Sequence, residues 1–314
     1  MSESRGTGKY ERLLARCKDV PPISTAVAHP CDDSSLFAVI EAARARIVEP
    51  ILCGPADRIR RIAKDLSIDV ERYEIVNVPH SHAAAARAVE LVRLGRAEVL
   101  MKGSLHTDEL MGEVVKRDGG LRSERRVSHV FIMDVPTYHK PLLVTDAAVN
   151  IVPTLDDKRD IVQNAVDLAH ALGLAQPKVA ILSAVETVTA RIPSTIEAAA
   201  LCKMADRGQI TGALLDGPLA FDNAISAEAA RIKHITSPVA GDADILVVPD
   251  LEAGNMLAKN LTFMARADAA GIVLGARAPI ILTSRADNER TRMASCAVAA
   301  LYAHARRTQS TVAA

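Results

Sequence analysis

The chain has no tryptophan, and aromatic residues make up only 3% of its 314 positions. Its cores must be built from Ala, Val, Leu and Ile, and the aromatic platforms on which nucleic-acid bases stack are hard to assemble. Net charge is missing as well. Lys+Arg and Asp+Glu both total 38, so no field draws the chain to nucleic acid or to an acidic membrane. Local basic pockets remain open to it, and these suit a small anionic substrate. The five cysteines (Cys17, Cys31, Cys53, Cys202, Cys296) are odd in number and form no C-x-x-C pair, which indicates neither a zinc site nor a disulfide framework. No apolar run reaches the roughly 18 residues of a spanning helix, and residues 1–20 lack the apolar segment of a signal peptide. The expectation is a soluble, cytoplasmic protein with no membrane and no nucleic-acid partner.

Familiar catalytic signatures are absent too. RGTGKY (5–10) follows no strand and lacks the third glycine of a dinucleotide fingerprint. Without a Walker A loop, a G-x-S-x-G elbow or an H-E-x-x-H pair, P-loop enzymes, elbow hydrolases and zincins are disfavoured.

What is present is an alternation. At roughly 100–200 residues per domain the length suits two domains or one large α/β unit, and 49% hydrophobic residues exclude disorder. Short β-branched runs at 23–28, 50–54, 73–78, 98–103, 129–135, 142–147, 178–184, 212–217, 243–250 and 279–284 read as strands. Segments 34–49, 81–95, 156–173, 193–207, 251–267 and 287–306 carry apolar residues at helical spacing. Strands that are apolar throughout and separated by helices imply parallel sheets covered on both faces. A boundary is expected near DVPTYHKP (134–141), where two prolines break the pattern. Ligands of such sheets bind beyond the carboxyl ends of the strands, so those ends hold the candidates.

MKGSLHT places Lys102, Gly103 and Ser104 after a strand, with His106 and Thr107 opening the next helix. Free backbone N–H groups there suit an anion, although on these residues alone a plain turn capped by Thr107 is the commoner explanation. RSERRV brings Arg122, Arg125 and Arg126 together, a pattern that suits bidentate phosphate binding or a solvated basic turn. TDAAVN sets Asp146 and Asn150 among small residues, and LLDGPLAFDN sets Asp216, Gly217, Pro218 and Asp222 after a strand. Asp216 and Asp222 could approach a metal, but two carboxylates without a third ligand are thin support, and no metal site is expected. PDLEAGN supplies Asp250, Glu252, Gly254 and Asn255. A glycine just inside a helix costs ~1 kcal/mol against alanine, which hints at close approach by a ligand or by backbone. ILTSRADNER ends a strand in Ser284 and Arg285, followed by Asp287 and Glu289. Asp287 suits an N-cap; the Ser-Arg pair does not, and it falls where a strand delivers side chains to a pocket.

In order along the chain, MKGSLHT, RRVSHVFIM, TDAAVNIVP, DGPLAFDNAIS, SPVAGDADILVVPDLEAGNML and the closing TSR resemble the phosphate acetyltransferase/phosphate butyryltransferase family. The resemblance spans about residues 95–305 and is weaker before. It implies two α/β domains like those of isocitrate and isopropylmalate dehydrogenases, with mostly parallel sheets, helices on both faces and the site in the interdomain cleft. The first domain would comprise 1–140 plus 285–314, and the second 141–284. The implied reaction is acyl-CoA + phosphate ⇌ acyl phosphate + CoA, with CoA as substrate, no tightly bound cofactor and a homodimeric enzyme.

By the same resemblance Ser284 and Arg285 contact phosphoryl or acyl oxygens, and Arg126 binds phosphate or acyl phosphate. The family's base for the CoA thiol lies several residues beyond Ser-Arg. This chain has Arg290-Thr291-Arg292 there, so Asp287 or Glu289 is expected to take the proton after a local gap. Lys102, Gly103, Ser104, His106, Thr107, Asn150, Asp216, Pro218 and Asn255 are expected to line the phosphate, acyl phosphate and CoA site. Acetyl is the favoured acyl group, although the short VELVRLGRAEVL segment is closer to the compact butyryl-type members. The alternatives are a butyryltransferase, a non-catalytic binder of CoA esters, and a metal- and nicotinamide-dependent decarboxylating dehydrogenase using Asp216, Asp222 and Asp250.

Overall fold

The computed structural model describes residues 8–283 and 287–312, with side chains described to residue 308. The elements run α1 (Lys9–Cys17), β1 (Ile23–Ala28), α2 (Asp33–Arg44), β2 (Val48–Gly54), α3 (Ala56–Asp65), β3 (Glu74–Asn77), α4 (Ser81–Arg93), β4 (Val99–Lys102) and α5 (Thr107–Val114). There follow β5 (Ser128–Asp134), β6 (Leu142–Thr145), α6 (Leu155–Ala171), β7 (Lys178–Leu182), α7 (Pro193–Asp206), β8 (Leu214–Leu219), α8 (Phe221–Ile225), α9 (Ala227–Ile232), β9 (Ile245–Val247) and α10 (Leu251–Phe263). β10 (Asp268–Leu274), β11 (Ile280–Ile281) and α11 (Glu289–Val312) complete the chain.

Two compact units result: Met1–Lys9 with Arg126–Ala269, and Tyr10–Arg125 with Ala270–Ala314. These limits differ from the expected 140/141 and 284/285. The expected boundary segment 134–141 is the loop of a hairpin, because β5 pairs antiparallel with β6 from Val130↔Thr145 to Met133↔Leu142. Interstrand hydrogen bonds hold the two strands together, so the division falls before β5.

In the unit containing β1, the order is β3-β2-β1-β4-β11-β10. β1 is parallel to β2 and β4, and β4 to β11. The register sets Ala28 beside Cys53 and Lys102, and Ile281 beside Met101, so the carboxyl ends of β1, β4 and β11 share one edge. Ile23, Leu36, Ile40, Leu52, Leu100 and Met101 are fully buried; burying each such side chain is worth about 1.5–3 kcal/mol.

In the other unit, the order is β5-β6-β9-β7-β8. β6, β9, β7 and β8 are parallel, with Thr145 and Ile181 both beside Val247. Because β5 runs the opposite way, its amino end meets the carboxyl end of β6, and the segment that enters it meets the loop that leaves β6. Met133, Leu142, Val144, Leu182, Leu219, Leu246 and Leu261 form the core.

Mostly parallel sheets were expected; antiparallel pairing occurs at this hairpin and between β10 and β11. β10 itself was not expected: alanines and a glycine in DAAGIVL obscure its β pattern. α1 and α3 were not expected either. α3, ADRIRRIAKD, has so many charges that its buried face rests on Ala56, Ile59, Ile62 and Ala63 alone.

Candidate active site

Where the chain enters β5, Arg126 is held at several points. Its backbone N–H donates to Asp160 Oδ2 (2.9 Å), and its carbonyl accepts from Asn164 Nδ2 (2.9 Å). Its Nε donates to Asn150 Oδ1 at 2.7 Å. Asp157 Oδ1 lies 3.6 Å from the same nitrogen, and the arginine side chain is 54% exposed. Burial would raise the Asp157 pKa, but hydrogen bonds from Thr154 and the Arg126 charge outweigh it and hold the carboxyl below its ordinary value. Among the described residues the two terminal nitrogens of Arg126 make no hydrogen bond, so a planar cationic fork faces outward on an anchored stem. That is the geometry that grips a phosphate oxygen pair.

Asn150, expected to touch substrate, is buried. Its amide donates to Val127 O (2.8 Å) and to Asp146 Oδ2 (2.6 Å), and its oxygen receives Arg126. It orients the arginine from within. Asn255 donates to Ala147 O at 3.3 Å. Gly254 answers the question raised by its place in a helix: a Cβ there would sit 2.9 Å from Ala147 Cβ and 2.7 Å from Val248 Cγ2. Packed side chains, not a ligand, make that close approach.

In the unit containing β1, Lys102 is buried at the end of β4, with Nζ 3.4 Å from both Gly103 O and Thr283 O. Gly103 is required here, since a Cβ would lie 2.4 Å from His29 O and 2.5 Å from Ala28 O. The Ser104 hydroxyl donates to His29 O (2.9 Å), receives Cys31 N–H (3.3 Å) and meets His29 Nδ1 at 2.9 Å. Burial, aided by the Arg58 charge, lowers the His29 pKa, so the ring is neutral at pH 7. His106 rather than Thr107 occupies the N-cap of α5, its N–H donating to Glu109 Oε1 at 3.3 Å; Thr107 is the first helical residue.

Ser284 and Arg285 lie outside the described residues. Beyond them Asn288, not Asp287, caps α11, its Oδ1 accepting from Thr291 N–H at 2.8 Å. Asp287 is half-buried and Glu289 exposed.

Other carboxylates weighed for a metal have neighbours that explain them. Asp216, on the edge strand β8 beside Pro218, accepts from Gly217 N–H (2.8 Å); Asp222 pairs with Lys233 (3.1 Å); Asp250 caps α10 through Ala253 N–H (2.8 Å). Among the described residues no three His, Cys, Asp or Glu side chains are grouped to hold a metal ion.

The profile of the family described as "Phosphate acetyl/butaryl transferase" matches residues 81–300. The chain belongs to this family. Phosphate acetyltransferase of Rhizobium meliloti is 68% identical over 95% of each chain. Phosphate butyryltransferase of Clostridium beijerinckii is 44% identical over 94% of this chain and 97% of its own. Among solved structures, a branched-chain phosphotransacylase from Enterococcus faecalis V583 superposes with a TM-score of 0.78 at 33% identity, covering 90% of this chain and 99% of that one.

For a phosphotransacylase, three residues that sequence reasoning did not place in the site stand out. Arg292 is buried in the first turn of α11, donating to Asp287 O (3.2 Å) and Thr283 Oγ1 (3.3 Å) and reaching Ser34 Oγ (3.5 Å). Burial would raise the Asp32 pKa, but hydrogen bonds from Ser35 and Ser34, with a lesser contribution from the Arg292 charge, outweigh it and hold the carboxyl below its ordinary value. His29 directly follows β1, and the criterion that flagged Lys102 would have found it. Asp146 stands beside Asn150 in TDAAVN, but only the folded loop shows what its carboxylate holds.

Proposed function

We propose that the protein is a phosphate acyltransferase catalysing acyl-CoA + phosphate ⇌ acyl phosphate + CoA, with acetyl as the favoured acyl group. The observation that carries this reading is the near full-length identity to a phosphate acetyltransferase, higher than that to a butyryltransferase. The discontinuous unit, which the chain leaves at residue 125 and re-enters at 270, supports a two-domain fold of the isocitrate/isopropylmalate dehydrogenase type. A reducing, cytoplasmic setting suits its five free cysteines, and a homodimer belongs to the reading on family grounds.

A phosphate oxygen attacks the thioester carbonyl carbon, the C–S bond breaks, and sulfur leaves as the thiolate and takes a proton. In reverse the thiol, with an ordinary pKa of about 8.5, must first lose that proton. No protein nucleophile is needed. Arg126 clamps phosphate, Ser284 and Arg285 serve the phosphoryl and acyl oxygens, and Asp287 or Glu289 exchanges the proton. Lys102, Gly103, Ser104, His106 and Thr107 form the strand-end wall that meets the anionic substrates. Arg285→Ala is expected to lower kcat about 10²-fold or more.

Thiol release from acetyl-, propionyl- and butyryl-CoA, followed at fixed phosphate, tests the proposal. Release should require inorganic phosphate and be fastest with acetyl-CoA. Phosphate-independent release overturns the reaction, tight binding of acetyl-CoA without turnover favours a non-catalytic binder, and preference for butyryl-CoA reassigns the acyl group.

A further inference from the structure

We propose that Asp146 is a positioning residue for phosphate: a buried carboxylate that acts through Asn150 to fix the direction in which Arg126 presents its guanidinium. The proposal rests on the phosphate-binding role given above to Arg126.

Hydrogen-bond polarity sets the direction of each group in turn. Asp146 is 3% exposed, and as a carboxylate it can only accept. Oδ1 receives the backbone N–H groups of Ala148 (3.0 Å) and Val149 (3.1 Å). Oδ2 receives the backbone N–H of Asn150 at 3.1 Å and its side-chain amide at 2.6 Å. The second amide hydrogen of Asn150 goes to Val127 O at 2.8 Å. Both hydrogens being taken, the amide can present only its oxygen to Arg126, which donates Nε to it at 2.7 Å. Arg126 is thereby gripped at the one nitrogen that leaves the two-pronged end of the guanidinium outward, and a planar group held at Nε has its outer nitrogens aimed.

An amide in place of Asp146 would remove that logic. Its NH2 could face the NH2 of Asn150, or Asn150 could flip and turn a donor toward Arg126. The loop is also braced from behind, by Asn255 on Ala147 O (3.3 Å) and by the close approach of Gly254, so an error in the amide cannot be absorbed by moving the backbone.

Steady-state kinetics of the full chain with phosphate and acetyl-CoA varied separately test this. Asp146→Asn is expected to raise the KM for phosphate about tenfold or more, the loss of a hydrogen bond to a charged group, with the KM for acetyl-CoA changed less than about twofold. Asn150→Ala, which keeps the bonds from Asp146 to the loop backbone, should do the same. Should Asp146→Asn fail to fold, Asn150→Ala therefore carries the test. In an Arg126→Ala background Asp146→Asn should add nothing to the phosphate KM. If Arg126→Ala raises the phosphate KM while Asp146→Asn and Asn150→Ala leave it unchanged, or raise both KM values equally, the positioning role is wrong and the role of Arg126 stands. If Arg126→Ala leaves the phosphate KM unchanged, the reading of Arg126 itself falls.

Discussion

Arg292 Nη1 donates to Thr283 Oγ1 across 3.3 Å, tying the first turn of α11 to the strand end that immediately precedes Ser284. A cation at a helix amino end opposes the helix dipole, so its place there calls for compensation. Its bonds to Asp287 O, Thr283 and Ser34, together with the nearby Asp32 charge, provide it. At the spacing where the family resemblance leads one to expect an acid, this chain has a buried clasp.

Arg292→Met keeps the bulk of the side chain and removes the clasp. It should cost about 3 kcal/mol of stability, as breaking a buried charged contact does, and lower kcat by at least about tenfold. Urea unfolding and phosphate-dependent thiol release check the two effects. Full activity in a destabilised variant would show that Arg292 braces the helix alone.

Gly103→Ala would drive a Cβ against the backbone carbonyls of His29 and Ala28 at 2.4 and 2.5 Å. Backbone in the middle of a parallel sheet edge has no easy retreat, so a loss of at least about 1–3 kcal/mol is expected, with Lys102 and Ser104 displaced. A thermal unfolding midpoint within error of wild type would refute this.

For Gly254→Ala two effects compete. Helix propensity favours alanine by about 1 kcal/mol, but the new methyl meets Val248 Cγ2 at 2.7 Å and Ala147 Cα at 3.0 Å. Overpacking of about 1–3 kcal/mol should prevail. Because Ala147 belongs to the loop that orients Arg126, the KM for phosphate should rise as well. Stability and phosphate KM measured together check this, and a stabilised variant would mean that the loop yields freely.

Asp242 predicts the acid limb of the stability profile. Burial would raise its pKa, but hydrogen bonds and charges from Lys178 and Lys140 overcome this and bring it from 3.8 down to about 2. A carboxyl depressed on folding contributes stability that is complete above its unfolded pKa and is lost as pH falls through the folded one. Stability should therefore decline between pH 3.8 and about 2, moderately, since the side chain is 40% exposed. Asp242→Asn should be less stable at pH 7 and show a flatter acid limb by chemical denaturation. An unchanged limb would assign acid loss to other carboxylates.

Much of the α/β alternation was legible because buried strands and amphipathic helices leave different periods. β1 and α4 fall within a residue or two of their expected limits. The hairpin β5–β6 was not, since two prolines between apolar runs read equally as a linker or a turn, and strand direction leaves no local trace. Lys102 and Gly103 could be set at a strand end, and Arg126 before a strand, because strand limits can be located by pattern. For Asn150 the sequence shows a polar residue among small ones, not which way its amide faces or that it bonds to Arg126.

By itself the sequence determined most of the order of strands and helices, the absence of a net field, and a set of residues near strand limits from which a site could be made, because periodicity and charge are local properties of the chain. Only the tertiary structure decided which of these face outward and which hold another in place. Arg126 and Asn150 are 24 positions apart and Thr283 and Arg292 are 9, and their pairing depends on strand direction and loop closure, which no local pattern encodes.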